Sequence, residues 1–112
     1  MLDLPAPPYF AVVFTSRRTE LDKELYDQVS DELDEHGKSA PGFLGIQSRR
    51  NTEGYGVTVS YWRDMASIQA WRQDAEHRAA KANGRSRWYD QYRIEIARVE
   101  TAHTFIRDET PS

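Results

Sequence analysis

The chain has 112 residues, 38% of them apolar, no cysteine and a formal net charge of −3. That size suits one domain, and the missing thiols exclude disulfides, cysteine–metal centres and cysteine nucleophiles. With 15 basic against 18 acidic residues, the balance excludes the strongly basic profile of a general nucleic-acid binder.

Residues 1–8 form a Pro-rich N-terminal extension that reads as extended or loosely attached. It has no basic region followed by an apolar stretch, and no apolar run in the chain reaches membrane-spanning length. The expectation is a cytoplasmic protein with no membrane and no nucleic-acid partner. Residues 9–105 read as a single domain, and residues 106–112 as a polar tail. Leu, Ile and Val total 17 while Phe, Trp and Tyr total 13, so the core is lean in aliphatics and rich in rings. A small domain with such a core is expected to rely on a second subunit.

Tyr9 to Ser16 reads as a first strand, with Phe10, Val12 and Phe14 on one face and Ala11 and Val13 on the other. Thr19 offers an N-cap, with Glu20 and Asp22 in the first turn of a helix. Leu21, Leu25, Val29 and Leu33 draw its apolar stripe, Gly37 is a stop signal, and Pro41-Gly42 makes a turn. Eight carboxylates between Glu20 and Glu35 read as the solvated face of that helix. Phe43 to Arg50 and Tyr55 to Trp62 read as a hairpin joined through Asn51-Thr-Glu-Gly54. On the second of these strands, Gly56, Thr58 and Ser60 form a small, polar face that Trp62 closes.

Asp64 caps a second helix whose stripe is Ile68, Trp71, Ala75 and Ala79, and Asn83-Gly84 ends it. Arg85 to Asp90 reads as a further helical turn. Tyr92 to Phe105 reads as a long last strand, with a bulge near Ala97–Arg98 to reconcile its change of phase. The order β-α-β-β-α-β, with two helices on one face of an antiparallel sheet, is the α+β ferredoxin-like arrangement. Apolar residues on both sheet faces imply that two such sheets pack face to face in a homodimer.

Three constellations bear chemistry. His77 follows Asp74 by three residues, a spacing that could orient an imidazole for proton transfer; a histidine bonded at the edge of the core is the competing reading. His36, His77 and His103 sit on a helix end, a helix middle and a distal strand, which fixes no metal site. Trp88 and Tyr89 interleave with arginines before Tyr92 and Arg93, a pattern that either stacks on a flat ligand or packs over the end of the sheet. No phosphate loop, nucleophile elbow, flavin or nicotinamide motif stands out, so no cofactor is assigned.

Val59-Ser-Tyr-Trp-Arg-Asp-Met-Ala-Ser-Ile-Gln-Ala-Trp71, Asp74-Ala-Glu-His77 and Tyr92-Arg-Ile-Glu-Ile-Ala-Arg-Val-Glu100 together resemble the antibiotic biosynthesis monooxygenase domain family, over roughly residues 9–105. The resemblance implies a dimeric α/β barrel with a pocket between sheet and helices in each subunit. The family it resembles includes cofactor-independent oxidisers of aromatic polyketides, quinol monooxygenases, haem-degrading enzymes and many members with no known activity. Trp62 matches the tryptophan of the polyketide oxidisers. Thr58 stands where those enzymes have an asparagine, and Ile68 falls near their ring-binding tyrosine. Phe14 stands near an asparagine of the haem-degrading members, and Lys81 falls at their iron-ligating histidine, with His77 four residues earlier.

The expected function is cofactor-independent oxidation of a small aromatic phenol or quinol by O2. Trp62, His77 and Arg72 are the candidate catalytic residues, with Arg72 or Arg93 stabilising a phenolate. Trp88, Tyr92, Arg93, Phe14 and Thr58 are the candidate binding residues. The alternative is a non-catalytic dimeric module that binds a small molecule or a protein; haem degradation is a third reading.

Overall fold

The computed structural model describes residues 1–21, 23–81 and 88–107. Its elements run β1 (Tyr9–Arg18), α1 (Lys23–Lys38), β2 (Phe43–Arg50), β3 (Tyr55–Trp62), α2 (Met65–Lys81) and β4 (Tyr89–Val99). The strands form one antiparallel sheet in the order β2-β3-β1-β4. This is the ferredoxin-like α+β architecture.

Local chemistry sets the turns. Asn51 Oδ1 accepts the N–H groups of Glu53 and Tyr55 at 3.0 Å each, and Gly54 closes the hairpin at a φ of 92° that favours glycine. Asp64 caps α2, its Oδ1 accepting the Ser67 N–H at 2.8 Å. Between α1 and β2, Gly42 adopts a φ of 81°. Its carbonyl accepts the Arg63 N–H at 2.8 Å, tying that turn to the start of α2.

Directly opposed residues in an antiparallel sheet share a face. Val12 lies opposite Ser60 and Ile96, and Phe14 opposite Thr58 and Ile94; this inner face looks toward the helices. Ala11 lies opposite Tyr61 and Ala97, and Val13 opposite Val59 and Glu95; these make the outer face. The core forms where Val12, Trp62 and Ile68 meet, with Phe43 and Trp71 packed against them. Trp62 and Ile68 are both 0% exposed. The Trp62 ring lies 5.5 Å from each of the Phe43 and Trp71 rings.

Several boundaries differ from the sequence reading. Helix α1 starts at Lys23, later than Thr19 implies. The Thr19 N–H is held by the Trp88 carbonyl at 2.7 Å and its hydroxyl accepts the Leu21 N–H at 3.2 Å, so the chain is still leaving the sheet there. Leu21 precedes the helix and is exposed. Gly37 lies inside the last turn of α1 and does not end it. A Cβ at that position would come 3.1 Å from Trp71 Nε1, so glycine lets the indole approach the helix.

Strand β4 begins at Tyr89 and ends at Val99, so Tyr89 and Asp90 are strand and not helix. Pairing runs unbroken through Ala97 and Arg98, and the register shift lies at Arg17/Arg18. The change of phase needs no bulge: Ile94 and Ile96 serve the inner face, whereas Val99, opposite Tyr9, serves the outer one. Residues 100–107 continue past the sheet without strand pairing, leaving Phe105 and Ile106 exposed. The Asn83-Gly84 helix end and Arg85 to Arg87 lie outside the described residues. The N-terminal extension is docked on the outer face, where a Cβ at Gly45 would meet Leu2 Cδ1 at 3.3 Å and Leu4 Cδ2 at 3.5 Å.

Candidate functional site

Thr58 and Ser60 on β3 are too short to reach the helices, and Ala75 on α2 is too short to reach the sheet. The space they leave is a cavity of about 200 Å³ between the inner sheet face and the helix pair. Its floor is Val12, Phe14, Ile46, Thr58, Ser60, Tyr92 and Ile94. Its roof is Tyr26, Ser30 and Asp34, spaced four apart on α1, with Trp71, Arg72, Ala75 and Glu76 on α2. Trp88 and Tyr89 complete the lining.

The rings gather near Tyr89. Phe14 meets Tyr89 edge-on with centroids 5.4 Å apart, and Tyr26 meets Trp88 in the same way at 5.5 Å. Tyr92 lies 5.8 Å from Phe14 and 5.9 Å from Tyr89. The Arg18 guanidinium sits 3.4 Å from the Tyr26 centroid, a close cation–π contact that braces the ring. Burial drives the Tyr89 hydroxyl pKa far above the ordinary tyrosine range, and the adjoining Tyr26 hydroxyl, 3.5 Å away, pushes the same way. Tyr89 is therefore a neutral hydroxyl in the cavity wall and not a proton acceptor.

Charge enters the lining from the helices. Arg72 Nη2 lies 3.7 Å from Glu76 Oε1 one turn along α2. Asp34 is exposed at the cavity mouth, and desolvation by its neighbours, with Asp31 and Glu35 adding to it and Lys38 opposing, raises its carboxyl above the ordinary 3.8. A carboxylate less comfortable as an anion is a better proton acceptor, and a guanidinium beside the same cavity can hold an anion. The cavity thus has the parts to receive a flat ring, take a proton from it and stabilise the charge left behind.

The structure gathers five of the predicted residues at this cavity: Arg72, Trp88, Tyr92, Phe14 and Thr58. It places three elsewhere. Trp62 is wholly buried behind the lining, between Phe43 and Trp71, and is not a wall. Arg93 follows from strand alternation: Tyr92 and Ile94 look into the cavity, so Arg93, opposite Thr15, lies on the outer face. His77 is exposed on α2 and does not line the cavity. The Asp74 carboxylate is engaged across the helix pair, 2.9 Å from His36 Nε2 on α1. Among the described residues, no group of three or more histidines and acids could hold a metal ion.

Sequence reasoning missed Tyr26, Ser30 and Asp34, because the acidic run made that side of α1 look solvated. The signal was their spacing of four residues, beside the apolar stripe rather than within it. It also missed Ser60, whose signal was a small polar residue between Thr58 and Trp62 on the inner face.

The antibiotic biosynthesis monooxygenase family model matches residues 9–83. Over 101 residues the chain is 43% identical to YqjZ, an uncharacterised protein of Bacillus subtilis, covering 90% of this chain and 88% of that one. Over 92 residues it is 27% identical to a protein of Pyricularia oryzae named as a jasmonate monooxygenase; the match covers 80% of this chain and 43% of that longer protein. Among solved structures, SnoaB, a cofactor-independent oxygenase from Streptomyces nogalater, aligns with a TM-score of 0.67 at 13% identity, covering 91% of this chain and 100% of that one. A Shewanella oneidensis protein aligns with a TM-score of 0.70 at 12% identity, covering 89% and 100%. At those identities the structural likeness is one of fold. With well over half of its length matched by the family model, the chain belongs to the antibiotic biosynthesis monooxygenase family.

Proposed function

We propose that this protein is a cofactor-independent monooxygenase that oxidises a small aromatic phenol or quinol with O2, working as a homodimer. The observation that carries the reading is a ring-walled cavity of about 200 Å³ whose roof supplies Arg72 and Asp34. The oxygenase names of the Pyricularia relative and the Streptomyces fold neighbour support it.

The chemistry balances without an outside reductant. A phenol and O2 give a quinone and water. One oxygen atom joins the ring, the other leaves as water with two hydrogens, and the ring supplies all the electrons. Removing the phenolic proton makes the ring electron-rich enough to reduce O2. The protein's part is to orient the ring, accept the proton at Asp34 and hold the anion at Arg72.

The non-catalytic reading keeps one observation in its favour: Trp62, which matches the polyketide oxidisers' tryptophan, is turned into the core. Incubating the protein with a panel of phenols and hydroquinones, in air and under argon, separates the two. An O2-dependent product above the buffer control supports the monooxygenase. Saturable binding with no product supports the binding module.

A further inference from the structure

Two small hydroxyl residues on β3, Thr58 and Ser60, lie in the cavity floor. Thr58 Oγ1 shares one hydrogen bond with Ser48 Oγ, 2.7 Å away at the exposed edge of the same face, and either hydroxyl can donate it. Ser60 is different. Its Oγ accepts the Trp62 indole N–H at 2.9 Å, with both residues buried.

An indole nitrogen only donates, so the direction of that bond is fixed. The Ser60 hydrogen must therefore point away from Trp62. Among the described residues it has no protein acceptor, although Ser60 is only 5% exposed. A buried donor without a partner is unusual in a folded protein and calls for one. Ser60 lines the cavity, so that partner belongs in the cavity.

We infer that Ser60 is a hydrogen-bond donor that seats a carbonyl or phenolate oxygen of the ligand against the sheet, and that Trp62 is the positioning residue that aims it. This assigns Trp62 a part in recognition although it is wholly buried: it acts through Ser60, from behind the floor. The site then selects a ring that carries an oxygen acceptor over the same ring without one. The inference rests on the reading of this cavity as the site of an oxygen-bearing ring, and it specifies the atom of the protein that meets the oxygen.

Binding distinguishes the two claims without requiring turnover. Equilibrium dialysis measures the affinity of 1,4-naphthoquinone and of naphthalene for the intact chain and for the Ser60→Ala and Trp62→Phe variants. Thermal melts confirm that each variant is folded. The expected result is tighter binding of the quinone by the parent chain. Ser60→Ala then weakens the quinone by about tenfold, the scale of one buried hydrogen bond, and leaves naphthalene unchanged. Trp62→Phe narrows the preference for the quinone by a smaller factor.

If Ser60→Ala weakens both probes equally, or neither, the donor role is overturned while the cavity reading stands. If Ser60→Ala acts and a folded Trp62→Phe does not, the positioning role of Trp62 is overturned. If neither probe binds saturably to the parent chain, the cavity reading fails and the inference fails with it.

Discussion

Arg72 and Asp34 carry different parts of the proposed chemistry, and their substitutions separate them. Arg72→Ala is expected to lower turnover by roughly 10²-fold, in line with losing a donor to a developing anion; steady-state oxygen uptake checks this. His77→Ala is expected to leave turnover unchanged, because the imidazole is exposed outside the cavity. Asp34 gives a prediction of opposite sign for activity and stability. Its carboxyl is raised above 3.8, first by desolvation. The stability it contributes is therefore full below the unfolded-state value and is lost as pH rises through the folded-state value. Asp34→Asn, which stays neutral, is expected to melt higher than the parent at pH 7 and alike at pH 3. The same change lowers turnover, since asparagine accepts no proton. None of this was legible in the acidic run itself, because periodicity separates an apolar stripe from a polar face. It does not tell which polar residues of that face look across a gap and which look into water.

At the scale of elements, the sequence marks interiors better than ends. β2, β3 and the start of α2 fall where alternation, the Asn51–Gly54 turn and the Asp64 cap put them. The misjudged ends depend on contacts distant in sequence. Thr19 is held to Trp88, so α1 starts late, and Gly37 is where Trp71 enters, so the helix passes through it. β4 stops at Val99, opposite Tyr9 at the head of β1. The Asp64 cap makes the element-scale prediction. The bond from the Ser67 N–H holds its carboxyl below 3.8, so its contribution is present above the unfolded-state value and lost as pH falls through the folded-state value. Asp64→Ala is expected to lower the melting midpoint at pH 7, and the gap from the parent should close as pH drops below 3. A gap that persists undiminished in acid would assign the loss to something other than the ionised cap.

For the whole molecule, the ring-rich, aliphatic-poor composition led to the expectation of a partner subunit, and the proposed homodimer is tested on the apolar side chains left exposed. Tyr55 and Val57, each 43% exposed, lie on the outer sheet face. Phe105 and Ile106, at 72% and 76%, lie on an arm beyond the last strand. The radius of gyration is 15.9 Å, against about 13 Å for a compact chain of this length. Sedimentation equilibrium at micromolar concentration is expected to give twice the 13.0 kDa chain mass, and Val57→Glu with Phe105→Asp to shift it toward the monomer. A parent chain that sediments as a monomer would sink the dimer.

The central claim is oxygen insertion into a phenol or quinol without an added reductant. Its most direct measurement is the mass of the product formed under ¹⁸O2 in ordinary water, from the phenol or hydroquinone turned over fastest. The account predicts one ¹⁸O atom per product molecule, formed with purified protein and no added cofactor. An unlabelled product with hydrogen peroxide accumulating, or no product above the protein-free control, contradicts it.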